Sequence, residues 1–227
     1  METKLLENFD KLTEHVGAQP FQPVRFDLVP GKTAMVHIDD QNDFLHHDGQ
    51  YGKKQINIEH MRRVIEPTRK LVQASRTHGI SHIWTRHGTR SAVDAGPFIN
   101  LRPALADGGL RQGTWGYEIH DEVGYHEEDW VIEKTRLSAF FQTNLEVVLR
   151  GLGVETVIIT GVLTNQCVAA TGKDAVFRDF KPIVIEDCVG TTLPNLHEPA
   201  LTMMKIGWAE VTDLADILHR ISELPKV

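Results

Sequence analysis

Residues 156–168 read TVIITGVLTNQCV, a short β-branched run that is followed by a glycine, a polar loop and a cysteine. The run 156–160 is typical of a buried strand, because parallel strands covered on both faces are almost continuously apolar. Beyond the loop, apolar residues recur at helical intervals from Val168 to Phe180. The pattern therefore predicts a strand, a loop and a helix in succession, with Cys167 in the first turn of the helix.

This position gives Cys167 two alternative interpretations. Unpaired N–H groups and the positive end of the helix dipole favour a thiolate over a thiol, which makes Cys167 a candidate nucleophile. Free cysteines are also among the most buried residues, so an inert packing role fits the same segment. The local sequence leaves both interpretations open.

The rest of the chain alternates short apolar runs with longer amphipathic stretches. Helices are predicted over 57–78, with Pro67 as a kink or as the true start, and after the capping box 143–146. Strands are predicted at 33–38, 80–84, 130–132, 156–160, 182–185 and 208–211. Because parallel neighbours need crossover helices, this alternation predicts an α/β fold with helices on both faces of a parallel sheet.

The length of 227 residues favours one domain, which we place at 33–227. Residues 1–32 carry no convincing strand and are predicted to form an N-terminal arm over the domain or over a neighbouring subunit. The Gly-rich segment 86–128 interrupts the alternation. Loops of that length are usually functional or disordered, and its aromatic residues favour an active-site lid or a subunit contact.

Composition excludes several classes of function. The formal charge is −7, from 24 basic and 31 acidic residues without a basic cluster, which argues against a nucleic-acid partner. No apolar run approaches the roughly 20 residues of a membrane helix. The first ten residues lack the order of a signal peptide, so we expect a cytoplasmic protein. Cys167 and Cys188 have no zinc-like or disulfide-framework spacing.

Three reactive side chains follow three different predicted strands. Asp39 follows the first strand, Lys134 the third and Cys167 the fourth. Ligands of open α/β sheets bind outside the carboxyl ends of the strands, where these residues would meet. A carboxylate can take the proton of a thiol, while an ammonium stabilises the thiolate. Taken singly, Asp39 could cap a turn and Lys134 could be a solvated charge.

Together they predict a nucleophilic cysteine site that needs no histidine. The backbone N–H groups of Leu163 and Cys167 are candidate donors to an oxyanion.

Three segments also resemble the signature segments of one known family. They are 38–44 (IDDQNDF), 134–140 (KTRLSAF) and 161–168 (GVLTNQCV), and they are similar to those of the isochorismatase-like cysteine hydrolases in order, spacing and residue type. The resemblance extends from about residue 33 to the carboxyl terminus. It implies a three-layer α/β/α sandwich with a central, mostly parallel sheet.

The same resemblance implies roles for individual residues. Asp39, Lys134 and Cys167 would be catalytic, and a cis peptide near Val162–Leu163 would shape the oxyanion hole. Asp40 stands where many members have a hydrophobic residue, so it adds a carboxylate that lies beside the nucleophile or faces away from it.

Family members include nicotinamidases and amidohydrolases of N-carbamoylsarcosine, ureidoacrylate and biuret. Metal-containing nicotinamidases show an Asp-x-His pair where this chain has Thr85-Arg86-His87, so we expect no metal and no other cofactor. True isochorismatases tend to lack the cysteine, so Cys167 also argues against vinyl ether cleavage.

The expected activity is that of a cysteine-dependent amidohydrolase. It would cleave a C–N bond of a small amide, ureido or carbamoyl substrate through a covalent acyl-enzyme, releasing ammonia or carbamate. The alternatives are a nicotinamidase-like hydrolase of an aromatic amide and a non-catalytic binding or assembly relative. A homodimer or homotetramer is expected.

Candidate substrate-binding groups come from the strand ends and from 86–128. Arg86 and Arg90 could clamp a substrate carboxylate or pair with acidic residues of that segment. Cys188 follows Glu186 and Asp187, which disfavour its thiolate, and is predicted to be structural. The full set of candidates is Gln41, Phe44, Trp84, Arg86, His87, Arg90, Trp115, Tyr117, Phe140 and Phe141.

Overall fold

The computed structural model describes residues 24–102 and 106–227. Six strands form one sheet in the order β3-β2-β1-β4-β5-β6, and every neighbouring pair is parallel. The strands are β1 (Thr33–Ile38), β2 (Ser81–His87), β3 (Trp130–Lys134), β4 (Thr156–Val162), β5 (Lys181–Gly190) and β6 (Glu210–Thr212). All six predicted strands are present, but β2 to β5 extend further toward the site than predicted, and β6 is shorter.

Helices connect the strands. The α-helices are α1 (Asn42–Leu45), α2 (Gln50–Lys53), α3 (Glu59–Arg62), α4 (Ile65–Ser75), α5 (Ala92–Ala95), α6 (Leu145–Gly151), α7 (Ala169–Val176), α8 (His197–Gly207) and α9 (Leu214–Ser222). Short 3-10 helices span Gly96–Leu101, Trp115–Tyr117, Asp121–Val123 and Pro194–Leu196. Within the described ranges, no helix is long and apolar enough to cross a membrane.

Successive side chains of the central strand point to opposite faces of the sheet. Ala34 and Val36 belong to the core that α6, α7 and α8 cover. Met35 packs with Leu71 of α4 and Ile217 of α9 on the other face. The sheet is therefore covered on both sides, and the predicted three-layer α/β/α sandwich is confirmed.

The predicted helix over 57–78 is two helices, α3 and α4. Pro67 is the third residue of α4. A proline is tolerated in the first helical turn because its missing N–H would have had no intrahelical partner there. The structure therefore supports Pro67 as a marker of the helix start rather than as a kink.

The capping box predicted at 143–146 does not form. The hydroxyl of Thr143 accepts a hydrogen bond from the N–H of Leu145 at 3.2 Å. Glu146 instead pairs with Arg150 and Arg178 through its two carboxylate oxygens. The helix itself is present as α6, with Leu145 as its first residue.

Part of the predicted N-terminal arm lies against the domain. Phe26 and Leu28 pack on the core beneath α9, and the N–H of Phe26 donates to a carboxylate oxygen of Glu210 at 2.6 Å. Residues 1–23 of the arm lie outside the described residues. The boundaries 1–32, 33–227 and 86–128 stay predictions.

The order of the strands reverses between β1 and β4. At this point Gly161 has a φ of 102°, and a Cβ built on it would lie 2.0 Å from the carbonyl oxygen of Ile38. Only glycine allows the two strand ends to approach so closely. The crevice where open α/β sheets bind ligands therefore lies just beyond β1 and β4.

A chain of buried polar groups crosses the sheet behind this crevice. His37 Nδ1 lies 2.8 Å from the hydroxyl oxygen of Thr160, and His37 Nε2 lies 3.1 Å from His82 Nδ1. His82 Nε2 lies 3.3 Å from the hydroxyl oxygen of Ser75. Burial lowers the pKa of His82 from 6.5 to about 4, so both the ring and its bonds belong to the neutral form.

This shift predicts the pH dependence of stability. Protons bind His82 in the unfolded chain as the pH falls below 6.5, whereas the folded state resists them down to about pH 4. His82 therefore makes the free energy of unfolding fall as the pH drops through this window. We expect His82→Gln to flatten the slope by about 1.4 kcal/mol per pH unit between about pH 5.5 and about pH 4.5. Denaturant titrations of both proteins measure the slope, and equal slopes would contradict the prediction.

Candidate active site

Asp39 follows the last residue of β1 and turns its carboxylate into the crevice. Its φ is 56°, in the left-handed region that Asp tolerates better than most residues. Thr85 makes two hydrogen bonds to Asp39. The Thr85 hydroxyl donates to Oδ1 of Asp39 at 2.6 Å and accepts from the N–H of Asp39 at 3.0 Å. The carboxylate therefore has a defined orientation before any ligand binds.

Lys134 is the last residue of β3, two strands away from β1. Its side chain is fully buried, and Nζ lies 2.7 Å from Oδ2 of Asp39. The ammonium also donates to the carbonyl oxygens of Arg136 at 3.1 Å and Leu137 at 3.0 Å. These bonds satisfy the charge inside the protein, which an ion pair without water requires.

Cys167 lies on a π-helical turn, Thr164–Val168, between β4 and α7. The sequence predicted the first turn of an α-helix, and α7 begins only at Ala169. The hydroxyl oxygen of Thr164 lies 3.0 Å from Nδ1 of His197, whose Nε2 accepts from Arg63 at 2.7 Å. This arrangement places the His197 proton on Nδ1, which donates to Thr164 and holds the turn.

The cis peptide that the resemblance implied is present between Val162 and Leu163. It lies directly before the π-helical turn.

His87 joins the site, although the sequence suggested a site without histidine. Its Nδ1 lies 3.4 Å from Nζ of Lys134 and 3.8 Å from both Sγ of Cys167 and Oδ2 of Asp39. β2 lies between β1 and β3, and its last residue, His87, is in register with Lys134. The sequence named His87 as a candidate substrate-binding residue, but the predicted end of β2 at Trp84 did not place it beside Asp39, Lys134 and Cys167.

The charges of the site are set by its burial. Burial raises the pKa of Cys167 to about 12, although the Lys134 ammonium opposes this shift. Cys167 is therefore a thiol in the free protein, because it is desolvated and lies beside the Asp39 carboxylate. The expectation of a thiolate, which rested on the helix dipole, is wrong. Burial raises the pKa of Asp39 as well, against the charge of Lys134. Burial and Lys134 lower the pKa of His87 well below 6.5, so its ring is neutral.

A small pocket opens from Cys167. Of the predicted substrate-binding residues, Phe44 and His87 line it. The sequence did not point to Tyr51, Arg102, Leu110, Leu137 or Gln166. The lining residues are Phe44, Tyr51, His87, Arg102, Leu110, Leu137, Leu163, Gln166 and Cys167.

Gln41 supports the site from behind the pocket. Its amide Nε2 donates to the carbonyl oxygens of His87 at 3.1 Å and Tyr117 at 2.8 Å. Its Oε1 accepts from the N–H of His87 at 2.8 Å. Gln41 thus joins the end of β2 to the segment 86–128 instead of lining the pocket, and Tyr117 is buried beside it.

The two arginines proposed as carboxylate clamps do not reach the pocket. Arg86 pairs with Glu118 at 2.7 Å and Glu133 at 2.9 Å. Arg90 is exposed and donates through Nε to Gln112 at 3.2 Å. Pairing within the protein, the alternative considered for these residues, is what the structure shows for Arg86.

The remaining aromatic candidates also lie outside the pocket lining. Trp84 is fully buried, and its indole N–H donates to Asp129 at 2.9 Å. Phe140 is buried in the core. Trp115 and Phe141 are about half exposed at the surface.

Cys188 and Asp40 are buried but do not line the pocket. Cys188 belongs to the core between the sheet, α4 and α9, and burial raises the pKa of its thiol. Burial and the neighbouring Asp39 charge raise the pKa of Asp40 well above its usual value. Neither Asp40 oxygen has a hydrogen-bond partner among the described residues. Asp40 is therefore a neutral acid rather than a second carboxylate.

Asp39, His87 and Cys167 offer three potential metal donors within 4.8 Å of one another. The Lys134 ammonium, however, lies 2.7 Å from Oδ2 of Asp39. A divalent cation on these donors would meet that positive charge at close range. The residues therefore fit a protein cation better than a bound metal, and a metal-free site stays a prediction.

Comparison with known proteins identifies the family of this chain. The isochorismatase domain model matches residues 33–216. Ureidoacrylate amidohydrolase RutB from Klebsiella pneumoniae is 29% identical over 218 residues, which cover 89% of this chain and 92% of that protein.

Two solved structures are similar to this chain in fold and sequence. A cysteine hydrolase from Pseudomonas syringae pv. phaseolicola has a TM-score of 0.82 and 27% identity, covering 90% of this chain and 99% of the other. N-carbamoylsarcosine amidase from Thermoplasma acidophilum has a TM-score of 0.66 and 26% identity, and the match covers 81% of this chain and 96% of that one.

The chain belongs to the isochorismatase family. It is a hydrolase of the class that acts on carbon–nitrogen bonds other than peptide bonds, as predicted. The similarities favour this activity over the nicotinamidase alternative.

The raised pKa of Cys167 predicts its reactivity. Cys188→Ala leaves Cys167 as the remaining cysteine. We expect its alkylation by iodoacetamide to accelerate by about tenfold per pH unit from about pH 7 to about pH 10, because a thiol with a pKa of about 12 keeps gaining thiolate over this range.

Mass spectrometry of timed samples measures the rate. The matched control is Cys167→Ala, in which the core thiol of Cys188 should label far more slowly. A rate that levels off near pH 7 would show a lowered pKa at Cys167 and contradict the prediction.

Proposed function

We propose that this protein is a cysteine-dependent amidohydrolase that cleaves a C–N bond of a small ureido or carbamoyl compound through a covalent acyl-enzyme. The observation that carries the proposal is the buried ion pair of Asp39 and Lys134 at 2.7 Å, beside the thiol of Cys167. A desolvated pair of this kind is costly to keep in a protein that has no chemistry to perform. The ureidoacrylate and N-carbamoylsarcosine specificities of the similar proteins support the substrate class.

In the first step Asp39 acts as the general base. Sγ of Cys167 attacks the substrate carbonyl carbon while its proton passes to the Asp39 carboxylate. The pKa of Cys167 and that of Asp39 are both raised by burial, which makes the thiol a weaker acid but Asp39 a stronger base. The transfer moves charge from one buried group to another, and Lys134 stabilises both arrangements.

The tetrahedral intermediate then collapses. We assign the backbone N–H groups of Leu163 and Cys167 as donors to its oxyanion, because Leu163 directly precedes the turn that presents the sulfur and Cys167 lies on it. The C–N bond breaks and Asp39 returns its proton to the leaving nitrogen, which departs as ammonia or an amine. Cys167 is left carrying the carbamoyl group as a thiocarbamate, the thioester of this substrate class.

Water completes the cycle. It attacks the thioester carbon while Asp39 accepts one of its protons. The C–S bond breaks, the proton returns to sulfur, and the acid or carbamate leaves. No step requires a redox change or an external cofactor.

The segment 86–128 fits the role of a lid in this proposal. It contributes Arg102 and Leu110 to the pocket wall that faces Cys167. A cytoplasmic location and a homodimeric or homotetrameric state accompany the proposal as predictions of the sequence.

Removal of the thiol tests the nucleophile. We expect Cys167→Ala to lose turnover of every substrate by at least about a thousandfold, because no other group can form the thioester. Ammonia release from a panel of ureides, N-carbamoyl amino acids and aromatic amides measures it. Cys188→Ala is the matched control and should retain activity.

Activity near wild type in Cys167→Ala would remove this residue from the mechanism. A wild-type protein that cleaves aromatic amides but no ureido or carbamoyl compound would overturn the proposed substrate class.

Replacement of the base gives a second test. Asp39→Asn keeps the shape of the side chain but cannot accept a proton, so we expect kcat/KM to fall by about 10²- to 10⁴-fold. In the wild type, protonation of Asp39 should abolish activity as the pH falls. Because burial raises the pKa of this carboxyl, the acidic limb of kcat/KM should lie above the usual value of 3.8. An acidic limb at or below that value would argue against Asp39 as the base.

A further inference from the structure

The pocket next to Cys167 contains one guanidinium. Among the described residues that line it, Arg102 is the only lysine or arginine. Its NH2 group donates to Oε1 of Gln166 at 2.7 Å, and NH1 donates to the carbonyl oxygen of Leu101 at 3.0 Å. The guanidinium also lies 5.2 Å from the centre of the Phe98 ring. Neutral oxygen atoms and an aromatic ring therefore surround it.

Arg102 has no carboxylate partner among the described residues. Arg86 and Arg76, by contrast, form ion pairs with Glu118, Glu133 and Asp129. A partly buried guanidinium with several remaining N–H donors is suited to bind a planar anion in two parallel hydrogen bonds.

Tyr51 supplies a second donor in the same pocket. Its side chain is 8% exposed, and its ring packs against Phe44 at 4.9 Å between centres. Its hydroxyl makes no hydrogen bond to a described residue. The pKa of Tyr51 is raised to about 12, chiefly by burial, and the charge of Arg102 opposes the shift. The hydroxyl is therefore a proton donor at neutral pH.

We propose that Arg102 and Tyr51 form a carboxylate-binding subsite that selects ureido and carbamoyl acids over neutral amides. The carbonyl carbon of the substrate would lie at Sγ of Cys167 while its carboxylate lies at the guanidinium. Gln166, the residue before Cys167, positions the guanidinium through its side-chain oxygen. The inference rests on the proposed function and assigns the substrate charge within it.

A charged and a neutral substrate of equal size separate this subsite from the chemistry. N-carbamoylglycine carries a carboxylate, and isobutylurea carries a methyl-branched carbon of similar shape in its place. We expect the wild type to prefer the acid by at least a hundredfold in kcat/KM. In Arg102→Leu this preference should fall at least thirtyfold, because KM for the acid rises. The kcat/KM for isobutylurea should change less than threefold.

Two milder variants refine the test. Tyr51→Phe removes only the hydroxyl and should cost about tenfold for the acid alone. Arg102→Lys keeps the charge but loses the planar fork, so it should fall between the wild type and Arg102→Leu. The matched control is Arg90→Leu, an exposed arginine of the same segment that lies outside the pocket. It should leave the preference unchanged.

Binding to an inactive protein distinguishes failure of the subsite from failure of the proposed chemistry. In the Cys167→Ala background, calorimetry should show that Arg102→Leu weakens binding of N-carbamoylglycine at least thirtyfold. Equal binding of N-carbamoylglycine by Cys167→Ala with and without Arg102→Leu, or a wild type that prefers isobutylurea, would overturn the subsite while the nucleophile stands. Strong binding of the acid without any turnover by the wild type would instead overturn the proposed function and leave the subsite intact.

Discussion

The ion pair between Asp39 and Lys134 is the constraint on which the site depends. Both side chains are fully buried, so neither charge is stable without the other. Hydrogen bonds offset the desolvation of the two charges. The Thr85 hydroxyl donates to the carboxylate, and the carbonyl oxygens of Arg136 and Leu137 accept from the ammonium. Thr85 is held within β2 by the ladder of backbone hydrogen bonds to β3, and Arg136 and Leu137 follow closely after the end of β3.

The same burial decides how a cysteine works here. A solvent-exposed thiolate site would lower the pKa of Cys167, but here desolvation raises it and brings the thiol against a carboxylate whose pKa is raised too. In the proposed mechanism the proton therefore passes from one poorly solvated group to another, and the nucleophile forms as it attacks. The neutral ring of His87 lies beside the trio of Asp39, Lys134 and Cys167 without adding charge. The site is dry and preorganised rather than already ionised.

The sequence predicted the parts of the molecule that depend on local pattern. Apolar periodicity located all six strands, and reactive residues after predicted strands pointed to Asp39, Lys134 and Cys167, which the structure brings together. His87 was missed as a neighbour of the trio because the apolar run of β2 ends at Trp84, while the ladder to β3 continues through Arg86 to His87. Strand ends set by pairing with a neighbour cannot be read from one strand alone. The π-helical turn was not predicted for a similar reason, because it is held by tertiary hydrogen bonds such as that between Thr164 and His197.

The residues of the pocket wall are positioned differently from Asp39, Lys134 and Cys167. Asp39 and Lys134 are held at strand ends by the sheet. Arg102 and Leu110 instead lie in the segment 86–128, which side-chain contacts such as those of Gln41 join to the end of β2. A change in that segment can alter which substrate charge is accepted without moving the sulfur or the base. Arg86 and Arg90 belong to the same stretch of sequence and had equal claim to the carboxylate on residue type alone. Only the path of the chain decides which arginine faces Cys167, so specificity is the property that residue patterns predict least.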